Sequence, residues 1–437
     1  MSTKWTAISY ISVGTAFQKL KDRIHTKAQS ELVSVLDAYK RVLAEDILSK
    51  ENVPAYDSSH MDGFAVKAQE ISSASHSNPI FLKIKPESPQ AKDPGRARSY
   101  PYRYNTKMLR QAQVSKILTG GYLPRGADTV IPIEEVAIIC NEVKISSPLP
   151  KGAFVYPAGA DVKKKEQIFS RGKVLRAQDI GLLTSLGVKQ LLLFKRPKIS
   201  LIPTGSELSD DFEPGKKFNT NGKLIAKLIE ESGGLPLDLG TTVDEVNPIR
   251  QKLAHALNTS DLVLTIGGTS VGQSDLVKKA IRSLGRPGII APGLKLDRGR
   301  VAGVAVLKGR PIVALPGPVQ GAINAFIVLA YPLIRLLSGR LENKSALTFY
   351  ATLTKLWESR KRFRHFLKVV YVKLSYFRAG FKAEPIVGET ESMLLLSKAN
   401  GYILVPEKIT KIRPGQTVAV HLLPGFSDIN DELMPYM

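Results

Sequence analysis

Two glycine-bearing loops and a few carboxylates are the parts of this 437-residue chain whose types and spacing suit chemistry. The stretch LTIGGTSVGQSD, Leu264 to Asp275, has the outline of a phosphate loop, with Gln273 where the gripping lysine of an ATPase would stand. Gly267, Gly268 and Gly272 let backbone N–H groups approach a phosphate, and Thr269 and Ser270 add hydroxyls. Asp275 opens the helix expected to follow, whose positive end favours an anion; it is equally suited to cap that helix. A second loop, in SLIPTGSEL, puts Thr204, Gly205, Ser206 and Glu207 after another apolar strand, and TVDE adds Asp244 and Glu245 after a third. Carboxylates at three strand ends beside a phosphate loop suit Mg²⁺-assisted chemistry on a phosphate or nucleotide. A solvated acidic rim is the plainer alternative for Asp244 and Glu245. With six histidines and one cysteine, Cys140, no Ser–His–Asp or Cys–His arrangement is evident, so no covalent intermediate is expected.

The elements that must position these loops follow from the hydropathy pattern. From Arg196 onward, RPKISLIPTG, LPLDLGTTVD, DLVLTIGG and PIVALPG read as strands. Between them NGKLIAKLIEESGG, NPIRQKLAHALNTS and SDLVKKAIRSLG read as helices, which predicts a parallel α/β sheet with helices on both faces. Ligands of such sheets bind at the carboxyl ends of the strands, where both loops lie. Upstream, IFLKIKP, VSKILTG, DTVIPIEEVAII and NEVKISSPL predict a small β domain, preceded by a helix over about 14–50. A short helix from Asp179 closes at Gly187. Downstream, ALTFYATLTK, FLKVVYVKL, GYILVPE and QTVAVHLL predict a second β domain, barrel-like, at the C-terminus. The domains read as 1–50 with 152–194, then 51–151, 195–340 and 341–425.

Composition sets the outer bounds. Apolar residues are 43% and charged residues 23%, a globular balance, and the lone cysteine excludes an intrachain disulfide. The most apolar run, AINAFIVLAYPLIRLL from Ala322, is broken by Asn324, Pro332 and Arg335 and reads as a buried helix, not a membrane span. The first residues do not read as a signal, so a cytoplasmic location is expected. The net charge of +23 suits a polyanionic partner. The densest basic patch, Ala91 to Lys107 with Tyr100, Tyr102 and Tyr104, reads better as a solvated insertion than as a nucleic-acid surface.

Five stretches in this order, SSHMDGFAV, ILTGGYLPRGADTVIPIEE, RPKISLIPTGSEL, NTNGKLIAKLIEESGG and LTIGGTSVGQSD, resemble the molybdopterin molybdenumtransferases, the family that includes the gephyrin E-domain. The resemblance covers nearly the whole chain. It implies four domains, an elongated homodimer, and adenylylated molybdopterin reacting with molybdate or tungstate and Mg²⁺ to release AMP. By motif it carries catalytic roles to Asp62, Thr119, Glu207, Asp244 and Asp275, with Glu207 and Asp275 as metal ligands. Thr204, Gly205, Gly267, Gly268, Thr269, Ser270 and Gly272 would hold the pterin phosphate or nucleotide. Read without it, Asp62 and Thr119 are turn residues.

Downstream the likeness thins. IAPGLK has Ala291 and Leu294 where the family carries lysines, and LPGPVQG lacks the usual asparagine and has Gln320 in place of a serine. Lys295, Arg298, Arg364, Lys368 and Thr390 are the candidates for oxyanion ligands. Losing a lysine from a dry anion site costs roughly 1.5–3 kcal/mol. These departures leave a non-catalytic molybdopterin-binding scaffold as the rival reading.

Overall fold

The continuous apolar runs of the middle segment form one sheet in the computed structural model, which describes residues 10–85, 108–269, 275–340, 348–377 and 380–423. Its order is Leu235–Asp238, Lys198–Pro203, Leu262–Ile266, Arg310–Leu315, Gly303–Leu307 and Pro287–Ala291. The first four strands are parallel, as expected. The last two pair antiparallel, so Gly303–Leu307 alone runs against the other five and the sheet is mixed. The reversal is local: Lys308 and Gly309 both have positive φ, the backbone a two-residue hairpin turn demands.

Successive strand residues face opposite layers. Leu201 and Leu264 point into one core with Ile225 and Ile229 of the helix Thr220–Glu231. Ile202 and Val263 point into the other, with Ile249, Leu253 and Leu257 of the helix Val246–Thr259. Truncating any of these leucines to alanine should cost about 2–5 kcal/mol. The apolar run from Val319 to Leu337 is helical with a π turn at Phe326–Ala330, and is long and apolar enough to cross a membrane. It is spent on the protein instead: Phe326, Leu329, Leu333 and Ile334 are fully buried in the first core.

The C-terminal strands close a five-stranded barrel, in the order Thr348–Leu353, Gly380–Pro385, Lys368–Phe377, Gly401–Val405 and Thr417–Leu422. Just before Gly401–Val405 the Asn400 amide extends the ladder, donating to the Leu374 carbonyl and accepting from the Leu374 N–H. The upstream β domain is a six-stranded sheet with Thr129–Pro132 and Val136–Ile139 at its edges, packed on Phe64, Leu82, Val114, Ile131 and Val143. By compactness the chain divides into two units, one of 1–45, 171–180 and 189–437, the other of 46–170 and 181–188. The four segments expected from sequence do not map one-to-one onto them.

The helix expected over about 14–50 is corrected. Only Val13–Lys21 is helical, and Ser30–Ser34 is a strand paired antiparallel with Gln190–Phe194. Val33 lies in the strand, whose pleated backbone it favours, and Ser34 caps the 3-10 turn Val35–Asp37, so the apparent helical spacing spans two different elements. Leu32 and Leu36 are mostly exposed.

Candidate functional site

The chain leaves Lys198–Pro203, adds Leu235–Asp238 on one side, then returns to place Leu262–Ile266 on the other. That reversal opens a crevice at the carboxyl ends of the two central strands, where open α/β sheets hold ligands. A cavity of about 650 Å³ lies there, bordered by Thr204 and Gly267–Thr269. The Thr204 N–H donates to the Ile266 carbonyl at 2.8 Å, and the Gly267 N–H to the Leu315 carbonyl at 3.1 Å. Gly267 and Gly268 have φ of 84° and 62°, and a Cβ on either would stand 2.6 Å from a Thr204 oxygen. Only glycine permits both the backbone and the approach. Thr269 Oγ1 is buried with no hydrogen-bond partner among the described residues, as fits a group that waits for a ligand. Ser270 and Gly272 lie outside the described residues.

The helix Thr220–Glu231 also points its N-terminus at the cavity. Asn219 caps it, accepting from the Gly222 N–H at 3.0 Å, while Asn221 donates to the Gly317 carbonyl at 2.6 Å. Asn219, Thr220 and Asn221 all border the space. They sit in the NTNGK stretch, where an N-cap asparagine was the signal that could have marked them.

Glu207 and Asp244 border the same cavity. Asp244 is fixed by reciprocal bonds, its carboxylate accepting from the Ser206 N–H at 3.2 Å and its own N–H donating to Ser206 Oγ at 3.1 Å. Its loop is tied down from below by Lys252, whose ammonium donates to the carbonyls of Leu239, Gly240 and Thr241 at 2.7–2.8 Å. Gly205 makes the turn, its N–H donating to the Thr242 carbonyl, and a Cβ there would lie 2.8 Å from Glu207 Oε2.

Asp275 is a different case. It caps the helix Leu276–Ser283, accepting from the Lys278 N–H at 2.9 Å, and pairs with the Lys278 ammonium at 2.5 Å. Both side chains are buried, and Asp275 is not among the residues bordering the cavity. Its carboxylate is thus paired with Lys278 as well as capping the helix. The Asp–x–x–Lys spacing was legible as such a pair. Among the described lining residues Glu207, Asp244 and Glu391 face a single cation, Lys217. That balance repels a bare polyanion. It suits phosphates that arrive with Mg²⁺, which takes one or two carboxylates and completes its shell with water and phosphate oxygens. The described residues hold no cluster of three acidic or histidine groups able to bind a metal unaided.

In the other unit Asp62 and Thr119 meet across 57 residues. Asp62 Oδ1 accepts from the Thr119 N–H at 2.6 Å and from its hydroxyl at 2.8 Å. The main-chain bond first, then the hydroxyl, holds the Asp62 carboxyl below its ordinary range, so it stays ionised. Gly63 follows because any Cβ there would lie 2.0 Å from the Ile131 carbonyl oxygen.

The candidate oxyanion residues are sorted by their partners. Lys368 is buried and its ammonium donates to the carbonyls of Arg364, Pro406, Glu407 and Ile409. Those bonds clamp the loop 406–409. Arg364 is exposed, and Lys295 bonds through its main chain to Ile11 and Leu367. Arg298 has positive φ and donates to the Gln320 side chain. Burial first, then nearby Arg360, lowers its pKa. Gln320, only 1% exposed, donates onward to the Glu389 carbonyl at 2.5 Å and through its N–H to the Thr390 carbonyl at 3.1 Å. Arg298 and Thr390 are therefore linked through Gln320, at a position that sequence marked only as a departure. Arg360, paired with Asp297, is a further cation that sequence reasoning missed.

Comparison with known proteins agrees over nearly the full length. A model described as the MoeA N-terminal region (domain I and II) matches residues 11–187, a probable molybdopterin binding domain matches 200–336, and the MoeA C-terminal region (domain IV) matches 350–423. The chain is 27% identical to a protein named molybdopterin molybdenumtransferase 2 from Mycobacterium tuberculosis, covering 89% of this chain and 94% of that one. It is also 27% identical to the molybdopterin molybdenumtransferase of Bacillus subtilis, covering 91% and 90%. Crystal structures of the molybdopterin biosynthesis MoeA protein of Pyrococcus horikoshii superpose with TM-scores of 0.79 and 0.76 at 26% identity. They cover 96% and 95% of this chain and all of those chains.

Proposed function

Because the chain belongs to the MoeA family, with its N-terminal, molybdopterin-binding and C-terminal regions in order, we propose that it is a molybdopterin molybdenumtransferase of molybdenum cofactor biosynthesis. The observation that carries this reading is the cavity at the sheet's switch point, where Gly267–Thr269 and the helix end at Asn219 face Glu207 and Asp244. In the finer reading the substrate is adenylylated molybdopterin, which reacts with molybdate or tungstate and releases AMP. Backbone N–H groups and the Thr269 hydroxyl bind its phosphates. Mg²⁺, when bound, neutralises phosphate charge, and Glu207 and Asp244 are the side chains to hold it. Arg298 and Arg360, with Lys295 and Arg364 near them in sequence, supply the positive charge for the incoming oxyanion.

Asp62, kept ionised by Thr119, belongs to the same reading as a candidate reactive-site residue. A homodimer is part of the proposal: Leu32, Leu36 and Tyr39 are exposed apolar side chains that a second copy would cover. So is a cytoplasmic location, where the exposed Cys140 stays reduced. The assay is AMP release from adenylylated molybdopterin with molybdate or tungstate. We expect release that depends on one oxyanion and on Mg²⁺. Tight binding without release under either oxyanion would sink the transferase and leave a scaffold.

A further inference from the structure

The cavity wall contains one aromatic side chain among its described residues, Phe218. It ends the two-residue ladder that joins Leu208–Ser209 to Lys217–Phe218. Phe212, on the intervening loop, lies against it with ring centroids 4.4 Å apart and planes 5° apart. Phe212 is 89% exposed, the most exposed large apolar side chain described. Hydrophobic burial cannot account for a phenyl ring in that position. Stacking can, since it orders the neighbouring ring.

The loop between them is braced. Lys216 Nζ donates to the Ser206 carbonyl at 2.5 Å, and the Lys217 N–H to the Glu207 carbonyl at 2.8 Å. Ser209 Oγ donates to Glu213 at 2.9 Å and accepts from the Asp211 N–H at 3.1 Å. The polar side of the cavity deals with phosphate and cation. A flat ring on the same ligand has one aromatic surface to meet.

We propose that Phe218, ordered by Phe212, is the stacking shelf for the planar heteroaromatic ring of the ligand whose phosphate sits at Gly267–Thr269. The inference rests on the phosphate-ligand reading of the cavity given above, and deepens it by assigning the ring's contact. Purine and pterin rings share the chemistry, and the test separates them. The full chain is titrated in Mg²⁺ buffer with AMP, with neopterin monophosphate, and with ribose 5-phosphate, which has no ring.

Phe218→Leu should weaken at least one ring-bearing ligand by about five- to a hundredfold and leave ribose 5-phosphate unchanged. Phe212→Leu, at a solvent-exposed position, should give a smaller loss of the same kind, and Phe218→Tyr should restore binding. The ligand that weakens identifies the ring. Unchanged binding of both AMP and the pterin by both leucine variants would overturn the shelf and leave the cavity reading intact. An equal loss for ribose 5-phosphate would overturn it too, as a general collapse of the wall. If the unaltered chain bound none of the three, the cavity reading and the shelf would fall together.

Discussion

Of the three carboxylates that border the cavity, Glu207 and Asp244 lie on the loops at the strand ends, so they carry the sharpest prediction at the level of single residues. Glu207→Gln and Asp244→Asn should each lower AMP release about tenfold or more and raise the Mg²⁺ concentration for half-maximal rate, with little change in Tm. A fall in Tm that matches the loss of rate would instead mark them as structural. Lys368 should behave in the opposite way. Lys368→Met strands the carbonyls of Arg364, Pro406, Glu407 and Ile409, a cost of about 1–3 kcal/mol. It should therefore lower Tm while the oxyanion dependence of the full-length protein stays where it was. A selective loss of molybdate dependence at unchanged Tm would place Lys368 at the oxyanion site.

At the scale of elements, the C-terminal barrel carries a titrating seam. His421 joins the strand Thr417–Leu422 to Thr348, with Nδ1 2.9 Å from the threonine hydroxyl. Burial lowers its pKa below the ordinary histidine value of 6.5. The unfolded chain then takes up a proton near pH 6.5 that the folded barrel refuses, so stability rises with pH across that window. Melting curves should show barrel stability level above that pH and falling as the pH drops through it. His421→Gln should flatten the slope. The sheet elements themselves were largely legible, because ISLIP, LVLTI and PIVAL are continuous apolar runs with one structural solution when both faces are covered. The antiparallel strand Gly303–Leu307 was not, since its apolar pattern is the same for either strand direction.

For the whole molecule, the +23 charge and the exposed apolar side chains at Leu32, Leu36 and Tyr39 make separate demands. The homodimer should appear in sedimentation at micromolar concentration, and Leu36→Glu should shift it toward monomer without changing Tm. A monomeric unaltered chain would remove the dimer from the proposal. The site draws on residues far apart in sequence. Glu391 reaches the cavity from the C-terminal segment, and Gln320 ties that segment to Arg298. No local pattern announces such contacts.

By itself the sequence determined the two glycine loops, the strand–helix alternation that sets them at strand ends, and the family likeness from Ser58 to Asp275. Those depend on local backbone needs and on hydropathy period, which neighbouring residues encode. Only the tertiary structure decided which partners the charges meet. Asp275 and Lys368 looked available as bare residue types, yet the fold pairs them with Lys278 and with four carbonyls. Phe212 and Phe218 looked like ordinary loop residues, yet they stack beside the cavity. A side chain's chemistry is set by the partners the fold brings to it, and in this protein several of them lie outside any window a sequence pattern can span.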